Sequence, residues 1–383
     1  MVDLAILIPV LPALGFVIIS IFSKALGSKG SAWLATTLMA ISAAIAIGLF
    51  IEINNAAPQW KTEPLEKLYD LEHHKAGTAD HAAVEGQTTA TEEPPTTVAT
   101  GETVEPVVEP ISALTKEAEE KQALLNEALG VRAISGFPFV REWSWLSIKG
   151  EAGLPFGFYF DQTAGIVLLM VSVVATLIHL FSIGYMAGEE RYPTFFAYIN
   201  LFAAAMLAMV MAKNFFHVLL FWEIMGLMSY LLIGFFYKKK TAQQAMKKAF
   251  MTVRVGDLAF MAGLFWLYSS FKTLDIPTIL EAGANGDLLK VLGVTAAGGI
   301  GLLLFIAAMG KSAQFPLHVW LADAMEGPTP VSAMIHAATM VAAGVYLVAR
   351  AYPILEVGHV LPFVALTGVG PSIASASQTW SGN

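Results

Sequence analysis

Residues 291–325 read VLGVTAAGGIGLLLFIAAMGKSAQFPLHVWLADAM. A bilayer core about 30 Å thick is crossed by roughly 20 apolar residues in helical conformation, so this stretch is too long for one straight crossing. Pro316 lies inside it. Proline has no amide donor and its ring collides with the carbonyl four residues earlier, so the helical ladder cannot continue past Ser312. The stretch predicts a broken membrane helix, with Lys311 placed at the break. Carbonyls freed by such a break can stabilise an ammonium or a bound water.

Working outward, seven further stretches are apolar enough to cross: 4–22, 32–53, 161–183, 195–212, 215–237, 249–269 and 331–352. A ninth candidate, 358–370, is too short to span. The expected fold class is an all-α polytopic membrane protein with about eight to nine transmembrane helices. The composition agrees: of the 383 residues 56% are hydrophobic and 14% charged, against roughly a quarter charged in a soluble domain. There is no cysteine, which excludes disulfide scaffolds, zinc-thiolate sites, Fe–S clusters and thiol catalysis in this chain. The first span lacks a basic leader and a cleavage signature, so it is read as a helix rather than a signal peptide.

The formal net charge of −8 argues against nucleic-acid binding, and it is unevenly placed. Residues 52–130 hold 16 acidic and 5 basic side chains, leaving the rest at +3. Within that insert, EEPPTTVATGETVEPVVEP reads as disordered, and 111–130 as one surface amphipathic helix. Lys24 and Lys29 follow span one, and Lys238, Lys239, Lys240, Lys247 and Lys248 follow span five. Short-loop lysines mark the inner side, so the N-terminus and the acidic insert are expected outside, the periplasmic side of a bacterial inner membrane. REWSWLSI and LPFGFYF flank a turn-like KGEAG and predict a small outer-surface hairpin. The expected organisation is spans one and two over 1–53, the insert over 54–139, the hairpin over 140–160, a membrane core over 161–370 and a polar tail over 371–383.

An ionisable side chain at membrane depth is costly and is a site candidate by default. Glu223 lies 14 residues before Tyr237, about 21 Å along a helix. Lys311 is its expected partner; a Glu–Lys pair can be switched by changing the separation, because desolvation and the opposite charge act on the lysine in opposite directions. The plainer readings are a neutral hydrogen-bonded glutamate and a snorkelling lysine. His336, in TPVSAMIHAATMV, suits a proton relay because imidazole titrates near neutrality; the alternative is a packing histidine. Arg254 and Asp257, three apart on one helix face, are read first as a self-neutralising pair. His179, His217 and His318 are weaker candidates, more often packing or interfacial. His73, His74 and His81 only superficially resemble a metal cluster. No dinucleotide fingerprint, P-loop, nucleophile elbow or HExxH is present, and no cofactor or metal site is visible.

At this point the residues carry a family resemblance. GKSAQFPLHVWLADAMEGPTPVSAMIHAATMVAAGVYLVAR, residues 310–350, resembles the signature of the antiporter-like subunits of respiratory complex I. FYFDQTAG, YMAGEERYPTFFAYINLF, FWEIMGLMSYLLIGF and AFMTVRVGD extend it over about 1–53 and 140–370, most like the subunit L (chain 5) branch of NADH-quinone oxidoreductase. The resemblance implies that Glu223, Lys311 and His336 are the family's proton-transfer residues. Asp257 becomes an influence on that transfer, with Arg254 its structural partner and His318 a possible modulator. It implies a proton-translocating subunit in which quinone reduction elsewhere perturbs buried ion pairs. NAD, FMN, Fe–S clusters and quinone are then expected on partner subunits, and the partners are other complex I membrane subunits, above all a neighbouring antiporter-like one, together with the lipid bilayer.

Two departures stand against the resemblance. Residues 54–139 have no counterpart in the family core. The family also has a second inverted five-helix repeat, where this sequence has PSIASASQTWSGN after Gly370. The expectation is therefore the first half of an inverted-repeat fold, in a truncated or split product. The rivals are a subunit of a multisubunit cation/proton antiporter or membrane hydrogenase, and a non-transporting remnant.

Overall fold

A computed structural model describes residues 4–56, 139–146 and 154–368. The chain divides into two units, Met1–Glu52 with Pro138–Asn383, and Ile53–Phe137. The expected disorder of the insert, the amphipathic helix at 111–130, the three insert histidines and the polar tail lie outside the described residues.

Helix α1 (Leu7–Ala56) holds the first two expected spans. It leaves helical geometry at Phe22 and at Gly27, whose φ of 64° a side chain would disfavour. A Cβ placed on Gly15 would come 3.1 Å from the Leu38 side chain. In a straight helix those residues would stand about 34 Å apart, so the two arms fold back on each other about Gly27. Then come strands β1 (Phe139–Leu146) and β2 (Leu154–Phe160) and helices α2 (Gln162–Tyr185), α3 (Tyr192–Val210), α4 (Phe215–Ile233) and α5 (Lys240–Phe271). After them run α6 (Ile276–Ala284), α7 (Asp287–Lys311), α8 (Thr329–Ala333), α9 (Met340–Arg350) and α10 (Tyr352–Val357). Residues 361–368, within the ninth candidate stretch, are helical. Among the described residues, seven segments are long and apolar enough to cross a membrane, the first being the folded-back α1. The chain is a multi-pass, mostly helical membrane protein. Large apolar side chains such as Phe265 on α5, 76% exposed, point outward as they would toward lipid.

Three elements differ from the sequence expectation. Helix α5 starts at Lys240, nine residues before the expected span. Its polar first turns are tied to the segment after α7 by Lys248 to Asp323 (2.8 Å) and Thr241 to Glu326 (3.0 Å). Helix α7 does not resume after its break. It ends at Lys311, and a run of turns with a cis Phe315–Pro316 bond leads to a short 3-10 turn at Asp323–Glu326. The eighth span was expected to be continuous but is interrupted between α8 and α9 by a π-turn over Met334–Ala338. The amide and hydroxyl of Thr339 both donate to the Met334 carbonyl, at 3.0 and 2.8 Å, which holds the widened turn.

The hairpin forms as expected, with Trp143 opposite Phe156 and Phe139 opposite Phe160. Trp143, Phe156 and Phe158 share one face, and Phe156 also meets Phe221 of α4. The Lys213 and Tyr159 amides bond to Gly157 and Met211 carbonyls, fastening β2 to the α3–α4 connection. Beside it, the Asp161 carboxylate caps α2 through the Ala164 amide (2.8 Å) and takes both arms of Arg350 at the end of α9 (2.5 and 2.7 Å). Arg350 Nε donates to the Tyr346 hydroxyl (2.6 Å), which donates to the Val210 carbonyl (2.5 Å). This cluster joins the start of the membrane core to the end of its last long span.

Removing one partner of a nearly buried ion pair leaves the other uncompensated, at a cost of about 3–5 kcal/mol. Asp161→Ala is expected to lower the melting temperature of the detergent-purified chain sharply, and Arg350→Met/Asp161→Leu to restore part of the loss; differential scanning fluorimetry checks both. Burial, and after it the Asp161 carboxylate, push the Tyr159 phenol up to about 12. The folded chain therefore keeps that proton where an unfolded tyrosine, at about 10, has released it, so stability falls as pH rises from about 10 to 12. Tyr159→Phe is expected to flatten that part of the melting-temperature profile.

Candidate proton-transfer site

The site is assembled where α4, α5 and α7 meet. Asn214 caps α4 by accepting the His217 amide (2.9 Å), which fixes the start of the helix that carries Trp222 and Glu223. On α5, Arg254 and Asp257 lie one turn apart on a shared face, as their spacing predicts. Gly256 of α5 and Gly310 of α7 allow those helices to touch through their backbones: a Cβ on Gly256 would sit 3.3 Å from both the Ala307 carbonyl oxygen and Gly310 Cα. Small residues at such a crossing are the usual route to close packing in lipid. The close approach brings Lys311, the last residue of α7, against α4.

Lys311 is fully buried. Its Nζ donates to the main-chain carbonyl of Trp222 (3.1 Å) and lies 5.4 Å from the centroid of the Trp222 ring. The carbonyl is reachable because the residue four positions on is glycine. A helical side chain covers the turn preceding it, and a Cβ on Gly226 would stand 2.8 Å from the ammonium. The break that ends α7 is satisfied locally. The Ser312 amide bonds to the Ala308 carbonyl (2.8 Å), the Gln314 amide to Met309 (2.9 Å), and the Trp320 indole to Gly310 (3.0 Å). The Ser312 hydroxyl reaches the Val341 carbonyl of α9 (2.8 Å), pinning the end of α7 to the span that contains the π-turn.

The expected direct Glu223–Lys311 pair is not what forms. Glu223 pairs with Arg254, whose guanidinium also stands 3.6 Å from Asp257. Asp257, 3% exposed, accepts the Trp222 indole N–H at 2.7 Å. Trp222 and Phe260 pack edge to face at 5.3 Å. The result is an ordered series: Glu223, Arg254, Asp257, Trp222, Lys311. Arg254 and Asp257 are therefore not a closed pair, because the arginine is shared by carboxylates on two helices. Among the described residues, no carboxylate forms an ion pair with Lys311.

His336 sits in the π-turn of the eighth span, with its Nε2 buried and without a hydrogen-bond partner. The Gln314 side-chain oxygen, beyond the break in α7, is likewise buried and unsatisfied. His318 is exposed and stacked on Phe315 (5.8 Å), apart from the series. His179 is fully buried between the Ala175 carbonyl (2.7 Å) and Asn200 (3.1 Å), a packing role. Trp222 and Gly226 were not singled out from the sequence. The available signal was a tryptophan beside a membrane-depth glutamate with a glycine one turn later. Asp161 and Arg350 were also missed, although both are charges at the ends of apolar spans.

Two family models match the chain. One, described as NADH:quinone oxidoreductase/Mrp antiporter, TM, covers residues 212–376. The other, described as NADH-Ubiquinone oxidoreductase (complex I), chain 5 N-terminus, covers 145–196. The NAD(P)H-quinone oxidoreductase chain 5 of Synechocystis sp. is 47% identical over 225 residues, 58% of this chain and 33% of that protein. The chloroplastic NAD(P)H-quinone oxidoreductase subunit 5 of Ipomoea purpurea is 43% identical over 245 residues, 62% of this chain and 34% of that protein. The chain thus spans about a third of the length of the curated relatives it matches. A structure of the membrane-bound sulfane sulfur reductase, an archaeal respiratory membrane complex, shares the fold with a TM-score of 0.57 at 17% identity, covering 91% of this chain and 53% of that one. With the two models falling on the membrane core and together matching more than half of the chain, the chain belongs to the antiporter-like membrane subunits of the NADH:quinone oxidoreductase/Mrp antiporter family.

Proposed function

We propose that the chain is a proton-translocating membrane subunit of an NADH-quinone oxidoreductase. In this reading, quinone reduction elsewhere in the complex drives proton transfer along a polar axis of Glu223, Lys311 and His336, with Arg254 and Asp257 setting the charge around it. The observation that carries the reading is the fully buried Lys311 ammonium at a helix end, one tryptophan away from a chain of shared ion pairs. An ammonium without a carboxylate partner is poised: Coulomb interactions in such surroundings are several-fold stronger than in water, so a shift of Arg254 between Glu223 and Asp257 changes the lysine's hold on its proton. When the proton leaves, Lys311 becomes a neutral amine and the buried His336 Nε2 is an acceptor able to take it, through water; refilling from the Glu223 side restores the ammonium.

The chain itself supplies no redox centre in this reading. NAD, FMN, Fe–S clusters and quinone belong to partner subunits, and the nearest partner is another antiporter-like membrane subunit. The short-loop lysines support a reading with the N-terminus and the acidic insert on the periplasmic side of a bacterial inner membrane. A subunit of a multisubunit cation/proton antiporter is the second reading, favoured by the matching family description, which names both assemblies.

In the full-length subunit within its assembled complex, Glu223→Gln is expected to reduce coupled proton transfer about tenfold or more, with assembly retained on native gels. Wild-type coupling in an assembled Glu223→Gln complex would contradict the reading. Gly226→Ala is expected to mimic the loss without removing a charge, since the added methyl occupies the approach to the Trp222 carbonyl.

A further inference from the structure

We infer that Trp222 is the positioning residue through which Asp257 controls the Lys311 ammonium. The inference rests on the proton-transfer reading of Lys311 and adds the part that links the carboxylates to it. Trp222 touches the lysine twice, by its main-chain carbonyl at 3.1 Å and by its ring at 5.4 Å. The carbonyl is fixed by helix α4, but the ring can turn. Its orientation is held from α5 by the indole N–H to Asp257 Oδ1 (2.7 Å) and by the edge contact with Phe260. Trp222 is itself fully buried, so the indole has no water to turn to.

The consequence follows from the charge on Asp257. While the carboxylate is ionised, the indole bond is charge-assisted and the ring stays against the ammonium. When Arg254 moves onto Asp257, or Asp257 takes up a proton, that bond weakens and the ring is released. A ring face near a desolvated cation contributes about 0.5–2 kcal/mol, a factor of roughly two to thirty in proton affinity. The charged groups around Lys311 are Asp257 and Arg254 on α5 and Glu223 on α4. Among the described residues, no hydrogen bond or ion pair reaches it from the eighth span, whose titratable side chains are His336 in the π-turn and, at its far end, Tyr346 and Arg350, which are tied to Val210 and Asp161. A tryptophan thus stands where a direct Asp–Lys pair would otherwise lock the proton in place.

The test has two arms. Ultraviolet resonance Raman spectra of the full chain in detergent, taken as wild type minus Trp222→Phe, isolate this indole from the other tryptophans. A strongly hydrogen-bonded N–H is expected, weakened in Asp257→Asn, lost in Asp257→Ala and changed in Lys311→Met. In the assembled complex, Trp222→Phe is expected to move the alkaline limb of coupled proton transfer to lower pH by about half to one unit, and Trp222→Phe with Asp257→Ala by less than the sum of the two single shifts. An unbonded indole, an unmoved pH profile or additive shifts would overturn the inference. Glu223→Gln separates the two ideas. If it leaves coupling intact, the proton-transfer reading fails; if it impairs coupling while Trp222→Phe is silent, this inference alone fails.

Discussion

The ammonium of Lys311 is held by a peptide carbonyl and an aromatic face, not by a carboxylate, and the surrounding structure is arranged to permit it. A buried charge without compensation is among the most expensive features a membrane interior can contain. The compensation comes from three backbone facts. Helix α7 stops at the lysine because Pro316 ends the ladder. Gly226 leaves the Trp222 carbonyl open. Gly256 against Gly310 brings α7 close enough to α5 and α4 for the side chain to reach. Each is a removal of bulk or of a hydrogen bond, and together they place one cation between three helices.

Around that cation the carboxylates are kept one step away. Glu223 and Asp257 share Arg254, and Asp257 reaches the lysine only through the Trp222 indole. A direct buried pair would be strongly coupled and slow to separate, whereas a shared arginine can redistribute between two acceptors without leaving a bare charge. At the end of the core near the hairpin the opposite solution is used. Asp161 and Arg350 close on each other in a bidentate pair, backed by Tyr346. One cluster is built to stay, and the other to shift.

Much of this was legible in the sequence and some was not, for physical reasons. The break before Pro316 followed from the missing amide, and the hairpin from alternating aromatics around a glycine turn. Arg254 and Asp257 were seen together because residues three apart on a helix must be neighbours. The partner of Glu223 was missed because it depends on how α4 and α5 are rotated about their axes, which no spacing within either helix fixes. The π-turn at His336 carries no proline or glycine; it depends on the Thr339 amide and hydroxyl converging on one carbonyl, a tertiary choice among several a threonine can make. The reversal in α1 was expected as a loop, yet it is a sharp fold about Gly27, close to the midpoint of the contact between Gly15 and Leu38.

The net charge of −8 proves a poor guide to the chemistry, since what matters is placement: Glu223 and Asp257 share Arg254, Asp161 closes on Arg350, and the buried Lys311 ammonium rests on a carbonyl. That ammonium is the central claim. The most direct measurement is the number of protons moved per electron in an assembled complex carrying Lys311→Ala, with quinone reductase turnover recorded alongside. The account predicts a lowered ratio or a strongly slowed, uncoupled turnover in a complex that still assembles. An unchanged ratio at wild-type turnover would contradict it.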